Sequence, residues 1–266
     1  MTKLENAFKN GKAFIPFVTC GDPDTETTIA VVKAMVEAGA AVVELGIPFS
    51  DPTAEGPVIQ EANIRALSGG MTTDKAFETA AALSKAVDVP LVFMTYANVV
   101  YSYHSTKETG IEGGTESFVK RMAECGVSGL ILPDVPFEEK DDFAPVCRKY
   151  GVEFVSLIAP TSKDRIRMIA KEAEGFVYCV SSLGVTGVRS EITTDISAMV
   201  EEVRSVSDIP VAIGFGISTP AQAADMAARA DGVIVGSAIV KQIAAHGRDA
   251  APFVKEYVGQ MVAAIR

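Results

Sequence analysis

Glu44 and Glu55 stand eleven residues apart in the stretch ELGIPFSDPTAEGPVIQ (44–60), with Gly46, Pro48, Pro52, Gly56 and Pro57 stiffening the chain around them. Glu44 follows directly on the apolar run AVV. A carboxyl group that closes a buried strand is desolvated, which raises its pKa toward neutrality, as a general acid or base requires. The competing reading is a glutamate paired with a lysine or arginine at a rim. Glu55, taken alone, reads equally as a solvated loop carboxylate. A second set of residues suggests phosphate chemistry: GFGIST (214–219) and GSAIVK (236–241) place Gly216, Gly236 and Ser237 where backbone N–H groups and a hydroxyl could meet an anion. Neither stretch is a Walker loop or a GxGxxG fingerprint, which argues against ATP or NAD.

Eight β-rich runs are available to position these groups: 13–20, 41–45, 90–96, 129–133, 153–159, 176–181, 210–216 and 232–237. Between them lie segments with apolar residues every three or four positions, such as TTIAVVKAMVEAG and TPAQAADMAARA, which read as amphipathic helices. The strands are apolar on both faces, so a parallel sheet covered by helices is expected. Eight strand and helix units predict a (β/α)8 TIM barrel, the alternative being an open doubly wound sheet. Residues 1–12 are expected to form an extra N-terminal helix over the barrel floor, and a helix over 251–265 to close the outer ring. No Pro/Gly/Ser-rich linker divides the chain, so residues 1–266 read as one domain. In a barrel of this kind the chemistry belongs at the C-terminal ends of the strands, and a phosphate belongs after strands seven and eight. Both clusters fall there. The long sixth loop, SSLGVTGVRSEITTD (181–195), reads as a lid that could bring Thr186 to a bound ligand.

Composition narrows the function classes. The 266 residues are 48% hydrophobic and carry a formal net charge of -10, which argues against a broad nucleic-acid surface. The opening MTKLENAFKNGKAFIPFVTCG lacks a signal-peptide core, and no apolar run is long enough to span a bilayer, so a cytoplasmic protein with no membrane partner is expected. Cys20, Cys125, Cys147 and Cys179 are scattered without a CxxC pair, and His104 and His246 are the only histidines. Buried free thiols are therefore expected, with neither a metal site nor a disulfide framework.

Seven stretches in order, FIPFVTCGDP, ELGIPFSDPTAEGPVIQ, FMTYANVV, PDVPFEE, YCVSSLGVTG, GFGIST and GSAIVK, together resemble the tryptophan synthase α subunit family from about Phe14 to the end. That resemblance implies a TIM barrel that cleaves indole-3-glycerol phosphate to indole and glyceraldehyde 3-phosphate. It also implies no cofactor in this chain, and a β subunit partner that carries pyridoxal phosphate within an α2β2 heterotetramer. By resemblance Glu44 is the catalytic glutamate, and Glu55 stands where the family usually has an aspartate against the indole N–H. Phe17, Tyr96 and Ile131 would line the indole slot, with ordinary core packing as the other reading for each. Tyr178 matches the tyrosine beside the catalytic glutamate, and Thr186 the lid threonine. Gly187, Gly216, Gly236 and Ser237 match the phosphate-binding turns, and Asp134 an aspartate on the side facing the β subunit, where it would act as loop anchor and signalling residue. The chain departs from the family pattern at Glu55, at Ser182 in place of an arginine, and in a longer third loop, 99–117. The extra methylene of Glu55 displaces its charge by roughly a C–C bond, and a misplacement on the order of 1 Å can cost about 10²-fold. Compensation by the loop is expected. Two other readings follow from the same residues: a stand-alone lyase that releases free indole, and a catalytically weak, phosphate-sensing activator of the β subunit.

Overall fold

A computed structural model describes residues 2–103, 113–180, 196–214 and 216–266. Among them, parallel strand segments run as β1 (Ala13–Thr19), β2 (Val43–Gly46), β3 (Leu91–Met94), β4 (Val127–Ile131), β5 (Glu153–Phe154), β6 (Leu157–Ile158), β7 (Val177–Val180), β8 (Val211–Gly214) and β9 (Gly232–Val235). Their order is β5-β4-β3-β2-β1-β9-β8-β7-β6. The two ends of that order are the halves of one sequence segment, 153–158. Val155 N donates to Leu130 O at 2.9 Å on one side, and Tyr178 N donates to Ser156 O at 3.0 Å on the other. The fifth barrel strand thus changes partner at its middle and joins the two ends of the sheet, giving the expected TIM barrel. The eighth strand of the barrel closes on the first through Ala13↔Gly232 to Pro16↔Val235.

Alternation along each strand separates two cores. Ala13 and Ile15 on β1, Val92 on β3, Ile131 on β4, Phe176 and Tyr178 around β7, Ala212 on β8 and Ile234 on β9 pack together inside the barrel. Their neighbours Phe14, Val43, Leu45, Phe93, Val177, Cys179, Ile213 and Val233 face the helices. The N-terminal helix is shorter than expected, Lys3–Ala7, with a capping box at Thr2 and Glu5. It nevertheless covers the barrel floor. Fully buried Leu4 joins the inner core, and Phe8 packs on Phe176 with ring centroids 5.6 Å apart. The expected closing helix is present as Ala250–Ile265.

Helix starts follow the capping chemistry of the sequence. Asp24 accepts from Thr27 N at 2.8 Å to begin the helix Thr25–Glu37, and Thr219 with Gln222 forms a capping box ahead of Pro220. Two helices, Pro57–Ser68 and Thr73–Ser84, fill the connection from β2 to β3. The first is tied to the loop after β1 by a bidentate pair in which Arg65 Nε and Nη2 donate to the Asp22 carboxylate at 2.7 and 2.8 Å. Asp22 is 1% exposed. All four cysteines are buried and free. Among the described residues no group of three or more His, Cys, Asp or Glu could hold a metal ion, and no helix is long and apolar enough to cross a membrane.

Candidate active site

Strand alternation decides where Glu44 points. Val42 belongs to the inner core while Val43 and Leu45 face the helices, so Glu44 at the next inward position enters the barrel near its C-terminal mouth. It is 1% exposed, and neither carboxyl oxygen has a hydrogen-bond partner among the described residues. Among the described residues the rim ion pair that the sequence left open is therefore absent. Burial pushes the Glu44 pKa up to about 8, so the group carries its proton at neutral pH. Buried polar atoms in native proteins nearly always find a partner, and an orphaned carboxyl facing a cavity marks a place where a ligand is to supply one.

The cavity is a pocket of about 730 Å³, counting its open mouth, within the size range of small-molecule sites. Glu44, Glu55, Phe17, Tyr178, Gly216, Gly236 and Ser237 all line it, in line with the sequence pattern. Two glycines make room for its rings. A Cβ on Gly46 would lie 2.6 Å from Phe17 Cζ, and one on Gly214 would lie 2.5 Å from the Tyr178 hydroxyl, so the far ends of both rings pack against bare backbone. Tyr178 sits close enough to Glu44 that the carboxylate's charge, added to burial, raises the phenol pKa well above its ordinary value.

Glu55 enters from the loop that follows β2, and it is not a freely solvated carboxylate. Asn63 Nδ2 donates to its Oε2 at 2.6 Å, and Gln60 Nε2 donates to its main-chain oxygen at 2.7 Å. Burial raises the Glu55 pKa to about 7, while hydrogen bonds from Asn63 and Tyr96 pull the other way. Tyr96 is thus not placed on the pocket wall: its hydroxyl accepts from Ala54 N at 3.1 Å and acts on Glu55, bracing the loop. Ile131 is fully buried in the inner core and likewise does not line the pocket. Asp134 accepts from Ala97 N with both oxygens at 3.1 Å, and so ties the loop after β4 to the start of the short helix Ala97–Tyr101.

A helix start forms part of the pocket wall. Ser237–His246 begins at Gly236 with no side-chain cap among the described residues, and a helix start of this kind offers N–H groups to an anion; Gly236 and Ser237 both line the pocket. Thr186 and Gly187, with the rest of 181–195, lie outside the described residues, as do residues 104–112 of the long third loop.

Sequence reasoning missed several wall residues: Ile59, Met94, Pro133, Leu157, Ile217 and Ile234. Met94 and Ile234 were reachable, because each continues the inward alternation of its strand. Asn63 was missed as well. Its signal was an amide on the otherwise apolar face Ile59, Ala62, Ala66 of a helix.

Comparison with known proteins agrees with this geometry. The family model described as "Tryptophan synthase alpha chain" matches residues 4–265. Among curated proteins, the tryptophan synthase alpha chain of Lacticaseibacillus casei is 46% identical over 265 residues, covering 100% of this chain and 96% of that one. The Lactiplantibacillus plantarum protein of the same name is 48% identical over 262 residues, covering 98% and 95%. Among solved structures, a Mycobacterium tuberculosis tryptophan synthase chain superposes with a TM-score of 0.87 at 33% identity, covering 100% of this chain and 98% of that chain. Full-length identity at this level, on a barrel whose two glutamates and helix start line one pocket, places the chain in the tryptophan synthase alpha chain family.

Proposed function

We infer that residues 1–266 act as one catalytic domain that cleaves indole-3-glycerol phosphate to indole and glyceraldehyde 3-phosphate, working in the cytoplasm with a β subunit that carries pyridoxal phosphate and takes the indole, in an α2β2 assembly. The observation that carries this reading is Glu44: a buried, protonated carboxyl group with no partner among the described residues, on the wall of a mostly apolar pocket that also holds a second carboxyl and a helix start.

The steps follow from the groups in place. The indole lies between the apolar walls of Phe17, Ile59, Leu157 and Ile234, with its phosphate at Gly216, Gly236, Ser237 and the lid residue Gly187. Glu44 gives its proton to indole C3, and the ring becomes a cation centred on N1. Glu55, ionised and held by Asn63, accepts a hydrogen bond from N1–H and stabilises that charge as it develops. The Glu44 carboxylate then takes the proton of the glycerol hydroxyl next to the ring. The oxygen's electron pair forms the aldehyde, the C–C bond breaks, and its electrons return to the ring to give neutral indole. Glu44 ends protonated, as it began. Tyr178 flanks Glu44, Thr186 and Gly187 are assigned to the ligand by the family resemblance alone, and Asp134 acts as loop anchor and signalling residue toward the β subunit.

The deciding experiment is indole release from indole-3-glycerol phosphate by the purified chain, alone and with a β subunit from the same source. Slow release that rises sharply with the partner is expected. Fast release by the chain alone would point to an independent lyase, and none in either mixture to a phosphate-sensing activator. Glu55→Gln keeps the side-chain size but removes the charge; it is expected to lower kcat by roughly 10²-fold while changing KM far less. Steady-state kinetics across a substrate series check this, and a loss confined to KM would remove Glu55 from the charge-stabilising role.

A further inference from the structure

The helix Pro57–Ser68 contains one residue that its fold does not ask for. Asn63 is 4% exposed and lies on the face formed by Ile59, Ala62 and Ala66, the first two of which pack with Phe17 and Val240. Asparagine is a poor residue for a helix interior and costly to bury, because its amide competes for backbone groups and must be given partners. The side-chain bond that it makes here is to Glu55 Oε2, at 2.6 Å.

Everything around this contact acts to fix it. The helix that carries Asn63 is held to the loop after β1 by the bidentate Arg65–Asp22 pair, two residues along from Asn63. Gln60, on the same helix, holds the main-chain oxygen of Glu55. Tyr96 braces the far side through Ala54 N. Glu55 is thus gripped at Oε2 and at its backbone by a single helix, while the Tyr96 hydroxyl also bonds its carboxylate and the side chain lines the pocket.

Building on the proposed cleavage reaction, we propose that Asn63 is a positioning residue: by holding one oxygen of Glu55 it sets the other at the indole nitrogen and keeps the longer side chain in its ionised, ligand-ready form. Asn63 touches neither substrate nor reacting atoms. Its effect passes through Glu55, and for that reason it is separable from a packing role. Burial drives Glu55 toward its neutral form, and the Asn63 bond opposes this. Without the bond the carboxyl protonates at higher pH and loses its fixed direction.

The test uses the full chain with its β subunit and three variants: Asn63→Leu, which fits an apolar helix face; Asn63→Ala, a smaller change that guards against misfolding; and Asn63→Leu combined with Glu55→Gln. Two readouts are taken. One is the titration of the Glu55 carboxyl followed by carbon-13 NMR, assigned by its absence in Glu55→Gln. The other is kcat/KM for indole-3-glycerol phosphate against pH. Both single variants are expected to titrate Glu55 at a pH about one unit higher, to lose roughly 10- to 50-fold in kcat near neutral pH, and to shift the acid limb of the profile upward. In the Glu55→Gln background the same leucine should cost under about twofold, since contacts that act through one group are not additive. An unmoved Glu55 titration, or equal losses from Asn63→Leu with and without Glu55, would overturn the proposal and leave Asn63 a packing residue. A parent chain with no turnover would overturn the assigned reaction alone, because the NMR titration still decides whether Asn63 governs Glu55.

Discussion

Glu44→Gln is expected to lower cleavage of indole-3-glycerol phosphate by roughly 10³- to 10⁴-fold, the upper part of the range for a lost general acid and base, since one group serves both proton transfers. The amide has the shape of the protonated acid, so the fold and binding of a phosphate-bearing substrate analogue remain. Near-parental turnover would sink the assignment. The same group shapes two pH dependences. In the proposed reaction Glu44 acts from its protonated form, its pKa raised by burial to about 8, whereas Glu55 acts ionised, its pKa raised to about 7. The kcat/KM profile of the parent should therefore be a narrow bell, rising through about pH 7 and falling through about pH 8. Stability follows in a defined direction. Glu44 titrates at about 8 in the folded chain against an ordinary 4.5, so between these values the folded state holds a proton that the unfolded chain has released. This contribution is fully present below about pH 4.5 and is lost as pH rises through about 8. Relative to Glu44→Gln, the parent should lose on the order of 4–5 kcal/mol across that window, read from denaturant midpoints at several pH values.

Asp22→Ala is expected to destabilise the barrel by roughly 3 kcal/mol, lowering Tm by about 6–12 °C. The aspartate is 1% exposed and accepts two bonds from Arg65, whose side chain is one-third exposed. Removal leaves the arginine's charge partly buried without its partner, and that uncompensated charge, more than the lost attraction, sets the cost. The effect should reach the site, because Arg65 and Asn63 share one helix. A loss below about 1 kcal/mol in thermal and urea unfolding would show that the pair behaves as an ordinary surface ion pair.

What the sequence determined by itself was the order of elements and, through its family resemblance, the class of chemistry. Apolar runs alternating with helical periodicity specify a parallel sheet covered by helices, barrel or open, because strands buried on both faces need helices on the outside. Capping residues such as Asp24 and Thr219 mark helix starts through purely local hydrogen bonds. Period-two alternation carries Glu44 inward, since Val43 and Leu45 on either side face the helices. The glycines after the last two strands point to the helix start at Gly236 by the same local reasoning.

Tertiary structure decided the rest, and each case depends on residues far apart in the chain. The fifth strand reads as one run, yet its halves bond to β4 and to β7, because closing the ring requires one strand to serve both edges. Tyr96 ends a strand-like apolar run, which suggests a pocket wall; its hydroxyl instead reaches 42 residues back to Ala54. Ile131 is the register partner of Met94 on the next strand, yet it is fully buried in the inner core while Met94 lines the pocket, a difference that periodicity does not encode. The partner of Glu55 could be found in no local pattern. The loop after β2 and the helix Pro57–Ser68 converge only when the helix packs on Phe17 and Val240, and that packing brings the Asn63 amide to the carboxylate. Sequence places the charges; three-dimensional packing sets how strongly each is desolvated and which neighbour answers it, and those two quantities fix the proton affinities on which the reaction depends.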